Sequence, residues 1–79
     1  MDQVKDLILI IARALVDHPE QVSVREIESG NTVIYELLVS TDDIGRVIGK
    51  RGRTVNAIRT LLSATSGKAR KRYMLEIIQ

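Results

Sequence analysis

The sequence predicts a small α+β domain, a three-stranded mixed sheet with helices packed on one face, in the order helix-strand-strand-helix-helix-strand. Three observations carry this. Apolar residues recur at three- and four-residue spacing in separate stretches near the start and in the second half of the chain, the period of a helix with one buried face. Between and after these stretches apolar and polar residues alternate, the period of a half-buried strand. At 79 residues without a cysteine, the chain has room for one core and no disulfide framework or thiolate metal site.

Residues 2–17 are predicted helical, with Val4, Leu7, Ile8, Ile11, Ala12 and Leu15 as the buried stripe. Leu9, Ile10 and Ala14 lie outside it, so the helix is apolar over more than one side. Pro19 disfavours helical geometry at His18 and ends the helix there. Residues 21–28 and 32–40 are strands joined by Ser29-Gly30-Asn31, in which Gly30 and Asn31 tolerate positive φ. Val33, Tyr35, Leu37 and Val39 alternate cleanly. In the first strand Val22 and Val24 face one way and Ile27 the other, which places a bulge or a strand end near Arg25.

After Ser40-Thr41-Asp42-Asp43 a short helix runs to about Ile48. Ser40 or Thr41 is its cap, and the two aspartates suit the positive end of the helix dipole. Gly49 and Gly52 interrupt it. A longer helix spans about Thr54 to Ser66 and is closed by Gly67. Residues 70–78 form the last strand, with Tyr73, Leu75 and Ile77 on one face. The hairpin strands must be antiparallel. The last strand arrives by a helical crossover, which suits a parallel partner.

An apolar fraction of 44% suits a folded domain. The longest apolar run near the N-terminus, Leu7 to Ala12, is far short of the roughly 20 residues of a membrane span. A soluble, cytoplasmic protein is the expectation. The formal charge of +2 conceals an asymmetry. Residues 1–43 carry three basic groups against nine acidic, net −6, and residues 44–79 carry nine against one, net +8. Such a split suggests that one part of the surface faces a polyanion. The alternative is a merely solvated basic face.

Catalysis is not expected. His18 is the only histidine and serves a helix end better than a metal, and no metal-ligand spacing exists. Asp42 and Asp43 are better explained as helix-start residues than as an acid/base pair. The segment from Gly45 to Arg51 has neither the length nor the hydroxyl of a nucleotide-binding P-loop. No cofactor, metal or small-molecule substrate is therefore anticipated.

The informative feature is Gly49-Lys50-Arg51-Gly52 between two helices. Glycines at both ends let a sugar-phosphate chain approach the backbone. Lys50 and Arg51 put two cations at the tip, and Arg46 and Arg53 flank it. The second helix's first N–H groups and its dipole favour an anion beside the loop. Asp and Glu are absent from Ile44 through Leu75. On spacing alone, a Gly-x-x-Gly is more often just a tight interhelical turn.

Val47-Ile48-Gly49-Lys50-Arg51-Gly52-Arg53-Thr54-Val55, followed by Ala57-Ile58-Arg59, closely resembles the signature of KH domains. The element order matches the type II arrangement of that fold, and the resemblance covers the whole chain as one domain. It implies that the loop clamps the backbone of about four nucleotides of single-stranded RNA. The contacts would be Arg46, Gly49, Lys50, Arg51, Gly52, Arg53 and Thr54. It also implies a base-holding groove lined by Ile44, Val47 and Ile48, with Val39 or Leu38 from the strand. Tyr35 and Tyr73 are the only aromatics, so stacking is not expected to dominate.

The resemblance further implies a chaperone-like role and a heteromer with a larger KH-containing protein, in RNA regulation tied to cell-wall homeostasis and cell length. A rival reading keeps the fold as a protein-interaction module without RNA binding. Two other features stay open. Lys68, Arg70, Lys71 and Arg72 are either an auxiliary electrostatic surface or a solvated strand end. In the long helix, Val55, Ile58 and Leu62 form one apolar stripe and Ala57, Leu61 and Ala64 a second. The second stripe is either a homodimer interface or part of one broad core face.

Overall fold

Alternation at Val33, Tyr35 and Leu37 builds the middle strand of the sheet, with all three side chains buried on one face. The computed structural model describes residues 3–78, and the side chains of all of these except residues 65–69. Helix α1 spans Gln3–Leu15, strands β1 and β2 span Ser23–Ser29 and Thr32–Leu38, and helix α2 spans Ile44–Ile48. Helix α3 spans Arg53–Ala69 and strand β3 Arg72–Ile78. Short 3₁₀ turns at Pro19–Gln21, Thr41–Asp43 and Lys50–Gly52 join them. The sheet order is β1-β2-β3, antiparallel between β1 and β2 and parallel between β2 and β3, as predicted.

The helices bury one stripe each against one face of the sheet. Ile8 and Ala12 of α1, Val47 of α2, and Val55, Ile58 and Leu62 of α3 meet Val24, Val33, Tyr35, Leu37 and Leu75 in a single cluster. Tyr35 and Tyr73 meet edge to face within it, with ring centroids 5.9 Å apart, a favourable aromatic geometry.

Four local expectations are corrected. Leu7 is 44% exposed, because α1 turns Ile8 and Ala12 inward and rests Val4, Leu9 and Ile11 on the core edge instead. No bulge occurs near Arg25. The β1–β2 register is continuous from Ser23↔Leu38 to Ser29↔Thr32, with Ile27 on the outer face opposite Ile34. Helix α3 does not close at Gly67 but continues to Ala69. Arg70 makes the turn instead, in the left-handed region at φ 56°, and the Arg72 N–H donates to the Asn31 carbonyl at 2.7 Å, fixing the start of β3 beside the hairpin.

The fourth correction concerns Asp43. It is 1% exposed and is the buried charged residue among those described. Its carboxylate accepts the Asp17 N–H at 3.1 Å and the His18 N–H at 3.0 Å, across more than twenty residues of sequence. Those N–H groups follow the last turn of α1, where the chain leaves the helix toward Pro19. Asp43 therefore ties the exit of α1 to the entrance of α2, rather than simply facing a dipole. Asp43→Ala removes the acceptor of two backbone donors in a part-buried site and is expected to cost about 1–3 kcal/mol. Urea unfolding followed by circular dichroism checks this, and a loss below about 1 kcal/mol would contradict the assignment.

Candidate nucleic-acid interface

The chain between α2 and α3 is a tight 3₁₀ turn whose shape depends on three left-handed positions. Gly49 has φ 77° and ψ 171°, Arg51 φ 58° and ψ 26°, and Gly52 φ 74°. The Gly49 conformation belongs to a region open essentially to glycine alone. Its surroundings make the same demand. A Cβ built on Gly49 would stand 2.7 Å from the Thr54 Cβ and 2.9 Å from the Thr54 nitrogen. Thr54 thus fills the space beneath the loop and supports it. Gly52 is different, since a Cβ there would meet only the Asn56 amide nitrogen, at 3.6 Å.

The turn consumes some of the donors expected to face an anion. The Gly49 N–H donates to the Gly45 carbonyl at 2.9 Å, the Gly52 N–H to the Gly49 carbonyl at 3.1 Å, and the Arg53 N–H to the Lys50 carbonyl. Of the first N–H groups of α3, that of Arg53 is thus used within the turn. Lys50, Arg51 and Arg53 are all exposed. Arg46 is placed otherwise, its guanidinium 3.1 Å from the Asp17 carboxylate, directed back toward the end of α1.

Two of the four expected groove residues are not available to a ligand. Val47 is 0% exposed and Val39 7%, because both belong to the hydrophobic core beneath α2. Ile48 is exposed and Ile44 half-buried, so these two carry what apolar surface α2 presents. Gly45 lies one turn before Gly49, with nothing within 4 Å of its Cβ position, so this flank of α2 is flat and open.

A cleft that residue spacing does not foreshadow runs along the free edge of β3. About 520 Å³ in volume, it is lined by Arg59 and Ser63 of α3 and by Arg72 through Glu76 of β3. Arg59 spans it, donating from Nη2 to the Leu75 carbonyl at 3.3 Å. Asn56, Arg59 and Ser63 recur at helical spacing, so one face of α3 leads from Gly52 into this cleft. Apart from its place in the family signature, nothing in the sequence distinguishes Arg59 from a solvated helix arginine. In the second basic cluster, Arg70, Lys71 and Arg72 are exposed, and Lys71 Nζ lies 3.3 Å from the Glu28 carboxylate. Lys68 lies outside the residues whose side chains are described.

The stripes of α3 separate as two faces rather than one. Val55, Ile58 and Leu62 are buried, whereas Ala57, Leu61 and Ala64 are exposed, Leu61 at 53%. Among the described residues no cluster of histidine and carboxylate side chains is placed to hold a metal, and no helix is long and apolar enough to cross a membrane.

Comparison with known proteins matches residues 5–77 to the family described as KhpA/KhpB, KH domain. The chain is 49% identical to the RNA-binding protein KhpA of Listeria monocytogenes over 75 residues, covering 95% of this chain and 99% of that protein. It is likewise 49% identical to the protein of that name from Clostridium perfringens, covering 94% and 99%. With that of Chlamydia trachomatis the identity is 45%, covering 95% and 96%. No solved structure matches the chain.

The two loop glycines should respond differently to alanine. Gly49→Ala meets both a forbidden backbone region and Thr54, and is expected to destabilise the domain by about 3 kcal/mol or more. Gly52→Ala meets only the left-handed backbone preference, about 1–2 kcal/mol. Thermal unfolding of the two variants side by side checks the order, and equal losses would refute the role given to Thr54.

Proposed function

The chain belongs to the KhpA/KhpB family of KH domains, and we propose that it binds single-stranded RNA, with the backbone held at Gly49-Lys50-Arg51-Gly52. The supporting observation is the loop itself, a turn with three left-handed residues that exposes Lys50, Arg51 and Arg53 between two helices. The relatives' names as RNA-binding proteins point the same way. Bases lying beyond the loop would meet Ile48 and Ile44 on one side and the Arg59 cleft along β3 on the other. Aliphatic contact and edge hydrogen bonds, rather than aromatic stacking, would hold them. Tyr35 is buried, and the half-buried Tyr73 meets it edge to face, so there is no platform of several open rings for stacking.

The finer reading is an RNA chaperone in the cytoplasm. It would act with a KhpB-like partner in RNA regulation linked to cell-wall homeostasis and cell length. Self-association across Ala57, Leu61 and Ala64 fits this, because a single short site discriminates sequences poorly and a second site raises affinity by linkage.

Replacing Lys50 and Arg51 together by aspartate is expected to abolish RNA binding in filter or fluorescence assays, with the fold intact. Unchanged binding would favour the protein-interaction module instead. Contact with three or four phosphates gives a salt slope near −2 to −3, so raising salt from about 50 to 200 mM should weaken binding roughly 15- to 60-fold. A slope near zero would refute the phosphate clamp. Leu61→Lys is expected to shift the protein to monomer in light scattering, and an unchanged mass would exclude the α3 face.

A further inference from the structure

We propose that the start of β3 is a second phosphate-binding site, so that one RNA strand runs along α3 from the loop to the hairpin end of the sheet and covers about seven nucleotides. The inference rests on the reading of the loop as an RNA clamp and gives that clamp a far end. Charge points there first. Lys71 is already held 3.3 Å from the Glu28 carboxylate. Arg70 and Arg72 are exposed and take part in none of the ion pairs among the described residues. Their backbone is fixed. Arg70 makes the left-handed turn at φ 56°, and the Arg72 N–H donates to the Asn31 carbonyl. Two unpaired guanidinium groups therefore stand on a set support, as Lys50 and Arg51 do at the loop.

The cleft connects the two ends. Helix α3 leaves the loop at Arg53, and β3 returns toward it from Arg72. Arg59 thus meets Leu75 partway along, and Arg72 lines the end far from the loop. From Arg53 to Ala69 the helix has 17 residues, a length of about 25 Å. Stacked nucleotides advance about 3.4 Å along one strand, which makes that distance about seven nucleotides, against the four or so that such a loop clamps.

The lining decides which part of the strand lies where. Between the ends stand the Arg59 guanidinium, the Ser63 hydroxyl, Tyr73 and Met74. Glu76 is the carboxylate among the lining residues, and it follows Leu75 toward the loop side. Such a surface takes bases, through apolar contact and hydrogen bonds, and its carboxylate repels phosphate. Phosphates belong at the two cationic ends. A merely solvated strand end has no need of a cleft leading to it from the loop, and Arg72 lines that cleft.

The variant Arg70→Asn/Arg72→Thr tests the second site. Asparagine tolerates the left-handed turn and threonine suits a strand, so the fold is kept, as circular dichroism would verify. Single-stranded RNA of random sequence is used at two lengths, four and ten nucleotides, with binding followed by amide chemical shifts and fluorescence. The short strand is confined to the loop and is expected to bind both proteins within about twofold. The long strand is expected to bind the variant about tenfold or more weakly at about 50 mM salt. Its salt slope should be less steep by about 1.4, from two lost phosphate contacts at about 0.7 each. The slope decides, because a longer strand also offers more registers, which raise affinity without adding phosphate contacts. Normal binding of the short strand with equal slopes for the two proteins on the long one overturns the second site alone. Absence of binding to the unaltered protein at both lengths overturns the loop reading, and this site with it.

Discussion

The carboxylate of Asp43 is the constraint on which the placement of the loop depends. Helix α2 has only five residues, too few to hold its own direction, and an isolated helix of that length does not form in water. Its position is imposed from outside. Val47 anchors one side in the core, and Asp43 fastens the entrance by two backbone donors from the end of α1. With both ends of that short segment fixed, Gly49 falls where Thr54 can pack beneath it. The loop is thereby presented on a rigid support rather than as a flexible turn.

A loop built in this way keeps its geometry at the expense of backbone freedom. Arg51 in the left-handed region is uncommon for a side chain of its kind, and such conformations persist where the surroundings over-determine them. The two hydrogen bonds that close the turn and the Thr54 contact supply that support. Pre-organisation matters for a site with few contacts, because less ordering is left to oppose binding when the ligand arrives.

Much of this was legible in the sequence. Period and alternation carry the element order, the helical crossover carries the mixed sheet, and the loop is marked by its glycines and cations and identified by its likeness to a family signature. What escaped is what spacing cannot carry. Asp42 and Asp43 are identical neighbours, and only the return of the chain from α1 makes one of them a buried tie. Val47 and Val39 resemble groove residues by sequence position, but the depth of α2 in the core decides their exposure. Gly67 looked like a helix end, yet Arg70 takes the left-handed turn instead. The cleft at Arg59 exists only because α3 and the edge of β3 run side by side.

The charge asymmetry takes on a sharper meaning once the chain is folded. The acidic first half does not simply sit opposite the basic second half. It reaches across to neutralise particular cations, Asp17 at Arg46 and Glu28 at Lys71. Exposed pairs of this kind contribute little to stability, about 0–1 kcal/mol each. Their larger effect is on where positive potential remains. Among the described residues, Lys50, Arg51 and Arg53, like Arg70 and Arg72, take part in none of the ion pairs, so positive charge is left uncompensated at the loop and at the start of β3. Removing the Asp17 carboxylate should therefore broaden that field toward Arg46 rather than unfold the domain. On the proposed reading, the acidic half of the chain would thus help to decide which cations meet the phosphate, without any of its carboxylates touching it.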